Sequence, residues 1–157
     1  MRRFKTSGAG GRGRRTAAAL AVLALPALSS ADPLLTYRLK IKGQLLRVEV
    51  ASDEPTRRTG LMFRRSLPEN GGMLFVYAQA GRWAMWMRNT YVPLSVAFID
   101  PQGRILNIED MQPLTEDAHQ AAGPAKYALE VRQGWFKQRG IQPGDRVEGL
   151  DGIPAGR

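Results

Sequence analysis

Short runs in which apolar and polar residues alternate recur along most of the chain, and this period of two is typical of β-strands. Residues 35–41 and 45–50 form two such runs around Lys42-Gly43-Gln44, which predicts an antiparallel hairpin. Further apolar or alternating runs predict strands over residues 73–77, 82–87, 94–100, 104–109, 127–131 and 145–148.

Two short segments are predicted as helices. Ser52-Asp53-Glu54-Pro55 is typical of a helix start, because oxygen-bearing side chains cap the first amides and proline needs no amide donor there. This helix is expected over 54–65, with Gly60 in its interior marking a close backbone contact, and the second over 134–139. Many short strands and two helices predict a mainly β (α+β) fold, a compact β-barrel-like or curled mixed sheet.

Residues 1–31 have the composition of a secretory signal peptide. They contain six Lys or Arg and no acid, and residues 17–28 are apolar with a single proline. This run is shorter than the roughly 20 residues that a membrane-spanning helix needs. We therefore expect cleavage near Ala31 and export to the periplasm or beyond, with an uncleaved anchor as the alternative. Arg14-Arg15 leaves both the general secretory and the twin-arginine route open.

The rest of the chain has the length of one domain. We expect residues 32–44 to lead into it as a strand, 45–149 to form a single β-rich domain and 150–157 to be a flexible tail. The formal net charge is +9, but only 17 basic and 14 acidic residues follow residue 31. Because the excess charge lies mainly in the leader, we expect no nucleic-acid partner. We also expect a monomer without a transmembrane span in the mature form.

The residue types present limit the chemistry. The chain has no cysteine and a single histidine, His119, which excludes thiol nucleophiles, Cys-ligated zinc and sites with two imidazoles. Five methionines follow the leader, and thioethers can bind Cu(I), but methionine also fills irregular gaps in a core. We expect no metal and no cofactor.

Several short motifs follow one another along the chain: Gly60-Leu61-Met62-x-Arg64, Gly72-Met73-Leu74-Phe75, Trp86-Met87-Arg88-Asn89-Thr90, Pro93-Leu94, Phe98-Ile99-Asp100, Leu129-Glu130 and Gly144-Asp145-x-Val147. They occur in the order seen in one prokaryotic family, the domain of unknown function family 192, and the chain resembles that family over roughly residues 45–148. The resemblance implies a compact, β-rich, often exported domain, and it implies no function. Ser95 stands where the family usually has Asp.

The polar residues of these motifs are the candidate site. We predict a ligand-binding groove formed by Arg64, Trp86, Arg88, Asn89, Thr90 and Glu130. Asn89 and Thr90 would hydrogen-bond the ligand, Arg64 would offer a guanidinium fork to an anion and Trp86 a stacking face. The structural alternative is that Asn89-Thr90 forms a turn and that Arg64 and Glu130 form an ion pair.

The sequence supports three functional hypotheses and identifies no ligand. The first is an exported accessory domain that binds a small polar or anionic ligand, or an envelope protein. The second is an enzyme acting on envelope polysaccharide, in which Glu130 works with Asp100 or Asp145 as a second carboxylate. The third is a structural interaction module, which would expose an apolar patch and lack a polar pocket.

Overall fold

The computed structural model describes residues 34–157, so the predicted signal peptide lies outside the described residues. The strands are β1 (Thr36–Ile41), β2 (Gln44–Ala51), β3 (Gly71–Gly81), β4 (Ala84–Met85), β5 (Leu94–Ile99), β6 (Ile105–Met111), β7 (His119–Gln120), β8 (Ala125–Arg132) and β9 (Val147–Glu148). The helices are α1 (Glu54–Thr59) and α2 (Trp135–Gln138), and a 3-10 turn follows at Leu150–Gly152.

Seven strands form one curled sheet in the order β6-β5-β8-β3-β2-β1-β9. The predicted hairpin is confirmed as β1 and β2, which pair antiparallel. Strands β2 and β3 run parallel, because α1 and its following loop carry the chain back to the same end of the sheet. The two edges approach each other where Arg104, before β6, forms a bridge with Arg146, before β9. The predicted fold class is therefore confirmed as a half-barrel with a second small sheet of β4 and β7.

The main sheet buries apolar side chains on both faces. Since side chains alternate along a strand, Leu74 and Val76 of β3 enter one core, while Met73 and Phe75 enter another. The first core also holds Trp135 and Phe136 of α2. The second core, under α1 and the loops that follow β3, surrounds the candidate site described below.

Helix α1 begins as predicted but ends earlier. The carboxylate of Asp53 accepts the amide N–H of Thr56 at 2.9 Å, which caps the first turn. The predicted end at residue 65 is wrong, because Gly60 takes a positive φ of 47° and ends the helix. The strand predicted over 82–87 is likewise reduced to the two residues of β4. No helix within residues 34–157 has the length and apolarity needed to cross a bilayer.

The C-terminal residues, which we predict as a flexible tail, contact the domain. The amide N–H of Arg157 donates to the carbonyl oxygen of Ser52 at 2.8 Å. Arg57 of α1 donates to the carbonyl oxygen of Arg157 at 2.9 Å. A Cβ at Gly156 would collide with the backbone of Tyr77, so the chain passes close to β3 here. The end of the chain is therefore packed against α1 and β3.

Candidate functional site

Glu130 is a carboxylic acid in the middle of a buried strand. It lies on β8 between its register partners Met73 of β3 and Val96 of β5, and both partners belong to the second core. Only 3% of the residue is exposed. Its carboxyl makes no hydrogen bond and no ion pair with any residue from 34 to 157, and neither oxygen is completely sealed from solvent.

Burial without a partner changes the ionisation of this group. Burial takes most of the water from the carboxyl, and no donor or cation among residues 34–157 replaces it, which disfavours the charged form. Burial therefore raises the pKa of Glu130 from its ordinary value of 4.5 to about 8. At neutral pH most molecules carry Glu130 as a neutral acid, which can both donate and accept a hydrogen bond.

The Glu130 carboxyl opens into a cavity of about 240 Å³. Its buried wall contains Leu61, Phe75, Tyr77, Thr90 and Glu130. Its exposed rim contains Glu54, Arg58, Thr59, Ala84 and Trp86. The cavity is thus apolar and aromatic over much of its wall, with two buried polar side chains, which is typical of a small-molecule site.

Two features of the second core shape the cavity wall. At Gly60 a Cβ would lie 3.0 Å from Cζ of Phe75, so glycine allows the end of α1 to approach this ring. The hydroxyl of Tyr77 donates to Sδ of Met85 at 3.4 Å, which ties β3 to β4. Burial, and secondarily the charge of Glu130, raises the pKa of Tyr77, so its hydroxyl stays protonated.

The Trp86–Thr90 motif forms a tight turn at the cavity rim. The amide N–H of Thr90 donates to the carbonyl oxygen of Met87 at 3.0 Å, and Asn89 takes a positive φ of 53°. The hydroxyl of Thr90 donates to the carbonyl oxygen of Arg88 at 3.1 Å. The alternative prediction of an Asn89-Thr90 turn is therefore confirmed. Met87 is buried under the turn, whereas Trp86 is 49% exposed.

The structure brings three of the six predicted site residues together. Trp86, Thr90 and Glu130 line the cavity, and Arg64, Arg88 and Asn89 do not. Arg88 lies 3.7 Å from the carboxylate of Glu116 and 5.8 Å from the ring centre of Trp86.

The predicted ion pair between Arg64 and Glu130 is wrong. The Arg64 guanidinium donates two hydrogen bonds to the carboxylate of Glu49 on β2, at 2.5 and 2.6 Å. These bonds raise the pKa of Arg64 further. Glu49 is partly exposed and keeps part of its hydration in this ion pair, whereas an ion pair with Glu130 would bury both charges.

The second carboxylates of the enzyme hypothesis lie elsewhere. Asp100 accepts the backbone N–H groups of Gln102 and Arg104 at 2.9 and 2.8 Å within a turn. Asp145 accepts the N–H of Gln142 at 2.8 Å in another turn. Neither lines the cavity that Glu130 lines. The structure therefore does not assemble the predicted pair of acids around Glu130.

The backbone beside the Trp86–Thr90 turn is strained. Phe63 and Leu114 have positive φ values of 64° and 63°, which cost a residue with a Cβ about 1–2 kcal/mol each. The N–H of Phe63 donates to the carbonyl oxygen of Asn89 at 2.8 Å, and that of Leu114 to Thr90 at 3.1 Å. Both side chains are exposed, Phe63 by 62% and Leu114 by 57%. Such strain clusters at functional sites.

Sequence reasoning missed Tyr77, Met85 and the strained positions. Tyr77 and Met85 look like ordinary strand residues, and no pattern shows that the hydroxyl meets the sulfur across eight positions. Glu130 did carry a signal, because it is the one acid within the buried run over 127–131.

Two solved structures resemble the chain. The crystal structure of a proposed transcription regulator from Sinorhizobium meliloti 1021 matches with a TM-score of 0.70 and 36% identity, covering 75% of this chain and 96% of that one. A protein of unknown function from Novosphingobium aromaticivorans DSM 12444 matches with a TM-score of 0.70 and 33% identity, covering 87% of this chain and 99% of that one. No curated protein matches the chain.

The sequence profile of DUF192, described as an uncharacterized ACR, matches residues 37–149. This range contains every residue that lines the cavity. The resemblance found in the sequence motifs is confirmed, and the chain belongs to the DUF192 family of uncharacterised proteins.

Proposed function

We propose that the protein is an exported, single-domain binding protein whose cavity takes a small polar molecule. The observation that carries the proposal is the Glu130 carboxyl, which is buried, without a partner among residues 34–157, and open to a cavity of about 240 Å³. Burial leaves the carboxyl with little access to water, and a ligand that hydrogen-bonds it compensates for the hydration that it has lost.

The chemistry of the wall favours an uncharged ligand. A hydroxyl or amide group can both accept from and donate to the neutral acid of Glu130. An anion placed against Glu130 would oppose any ionisation of the carboxyl in a site of low polarity. The exposed ring of Trp86 offers a flat surface for a sugar-like or other ring. Arg57 and Arg58 also line the cavity, but Arg57 is bonded to backbone carbonyl oxygens and Arg58 to Glu54. The anionic ligand that the sequence leaves open is therefore disfavoured at this cavity.

Binding is favoured over hydrolysis of a polysaccharide. Glycosidic cleavage needs two carboxyl groups in one cleft. The other acid at the rim, Glu54, is exposed and pairs with Arg58 at 2.6 Å. Only Glu130 in this cavity therefore has a free, buried carboxyl.

The proposal is tested by NMR titration of the chain from residue 32 with monosaccharides, polyols and small amides. We expect saturable shifts in the Trp86 indole and Thr90 signals. Glu130→Met should abolish them, because it fills the same space without a hydrogen-bonding group. Tyr91→Ala, which removes a comparably exposed aromatic ring outside the cavity, should leave them unchanged. Unchanged binding in Glu130→Met, or no saturable shift with any of these compounds, would exclude the proposed site.

The export part of the proposal rests on residues 1–31 alone. N-terminal sequencing of protein recovered from the cell envelope should give a start at Asp32. Recovery from the cytosol with residues 1–31 intact would exclude export and leave the binding proposal standing.

A further inference from the structure

Most arginines between residues 34 and 157 are held by a carboxylate or by a backbone carbonyl. Carboxylates lie within 4 Å of Arg58, Arg64, Arg88, Arg139 and Arg157. Backbone carbonyls accept from Arg57, Arg82, Arg104 and Arg146. Four arginines make neither contact with the described residues: Arg38, Arg47, Arg65 and Arg132. These four guanidiniums keep their full charge available for an external anion.

Arg65 and Arg132 line one hollow of about 490 Å³. Its lining also includes Ser66, Tyr91 and Gln133, and among the described residues no Asp or Glu lines it. It shares no residue with the cavity of Glu130. The hollow thus combines two arginines that have no carboxylate within 4 Å with neutral hydrogen-bonding groups. Arg132 also borders a neighbouring hollow lined by Glu69, but that carboxylate pairs with Arg139.

Arg64 and Arg65 are neighbours in the loop after α1, and their guanidinium groups make different contacts. Arg64 is occupied by the Glu49 carboxylate in a two-pronged ion pair. Arg65 instead lies over the ring of Tyr91, 5.7 Å from its centre. A contact of this kind positions a guanidinium while leaving its N–H groups free. Arg132, the last residue of β8, is exposed on the same hollow.

We infer that this hollow is a second binding site, for a phosphate ester. Two guanidiniums match the two negative charges of a phosphate monoester, and the arginine fork fits its oxygens. The hydroxyls of Ser66 and Tyr91 are further donors, and the exposed face of Tyr91 suits an aromatic or apolar ester group. The inference is independent of the ligand proposed for the Glu130 cavity.

Isothermal titration with phenyl phosphate tests the site, with inorganic phosphate and phenol as the two halves of the probe. Phenyl phosphate should bind saturably and more tightly than either half. Arg65→Ala and Arg132→Ala should each weaken binding about tenfold, since each removes charge-assisted hydrogen bonds. Arg38→Ala is the matched control, because it removes an equally unpaired charge outside the hollow and should leave the affinity unchanged.

Two results would overturn the inference. One is the absence of saturable binding of phenyl phosphate. The other is an equal loss of affinity in Arg38→Ala and Arg65→Ala, which would show attraction to general positive charge. Co-sedimentation with phosphatidylcholine vesicles containing phosphatidic acid separates the sources of the phosphate group. Loss of vesicle binding in the Arg65→Ala, Arg132→Ala double variant assigns a lipid headgroup, and phenyl phosphate binding without vesicle binding assigns a soluble ester.

Discussion

Two buried polar side chains lie on neighbouring strands of the same sheet, and their surroundings differ. Ser95 on β5 is 1% exposed, and its hydroxyl donates to the Asp110 carboxylate at 2.5 Å. The same hydroxyl accepts the N–H of Gly134 at 2.9 Å. Glu130 on β8 is buried to a similar degree and bonds to none of the described residues. Both groups lose water on folding, but only Ser95 regains its hydrogen bonds within the protein.

The difference separates a polar group that builds the fold from one that is free to meet a ligand. Ser95 joins β5, β6 and the start of α2, and it lies outside the Glu130 cavity. Asp110, its register partner on β6, supplies the carboxylate that accepts from the Ser95 hydroxyl. Ser95 therefore serves a structural contact away from the cavity.

The largest effect we predict is a pH-dependent difference in stability between the parent and Glu130→Gln. The unfolded chain releases the Glu130 proton near pH 4.5 and the folded chain near pH 8. Between these values the folded state holds one more proton, so raising the pH favours unfolding by about 1.4 kcal/mol per unit. This destabilisation is absent below pH 4.5 and complete above pH 8.

Urea denaturation of both proteins across this range measures the effect. Parent stability minus variant stability should fall steadily with pH and then level off, because the glutamine side chain of the variant does not titrate. The variant should be the more stable protein at alkaline pH. Parallel pH profiles would mean that Glu130 is ionised in the folded state, and the contrast with Ser95 would then disappear.

Removing the hydroxyl of Ser95 should destabilise the protein, whereas Glu130→Gln stabilises it at alkaline pH. Ser95→Ala removes a buried hydroxyl that bonds both the exposed Asp110 carboxylate and the half-buried Gly134 N–H, and we expect a loss of about 1–2 kcal/mol. Chemical denaturation at neutral pH measures the loss. Binding at the Glu130 cavity should be unaffected. A Ser95→Ala protein as stable as the parent would show that water replaces the hydroxyl. The hydrogen bonds of Ser95 would then add nothing to the free energy of unfolding, and the contrast with Glu130 would be lost.

Much of the fold could be predicted from the sequence, because period-two alternation and turn residues act locally. The hairpin of β1 and β2 follows this alternation, and β3, β5, β6 and β8 follow short apolar or alternating runs between turn residues. The end of α1 could not be placed, since Gly60 is compatible with a helix interior and with a cap, and only its positive φ of 47°, in contact with the ring of Phe75, identifies the cap. That contact joins residues distant in sequence.

The candidate site was only partly predictable for the same reason. Trp86, Thr90 and Glu130 meet because β8 and the turn after β4 face the second core. The acid that pairs with Arg64 depends on which side chains remain hydrated, and alternation does not distinguish Glu49 from Glu130. The isolation of Glu130 is a property of three strands together, and no local motif encodes it.

The strain beside the cavity gives a smaller prediction. Phe63→Gly should stabilise the protein by about 0.5–1 kcal/mol, since glycine accepts a positive φ and an exposed Phe side chain contributes little burial. Leu45→Gly, at an equally exposed strand position without a positive φ, should instead be destabilising by a similar amount. Thermal melting of both variants beside the parent measures these two changes in stability. Destabilisation by Phe63→Gly would mean that the phenyl ring has a structural role that offsets its backbone strain.

The smallest expected effect on stability is that of Trp86→Ala. Its ring is half exposed, and the Arg88 guanidinium lies 5.8 Å from the ring centre. We therefore expect the free energy of unfolding to stay within about 0.5 kcal/mol of the parent value. If the ring serves the cavity, the same variant should weaken binding of the monosaccharide or amide identified by NMR by about 1 kcal/mol or more. Stability unchanged with binding reduced would place Trp86 with Glu130, on the ligand side of the comparison. Stability reduced with binding unchanged would place it with Ser95, as part of the fold.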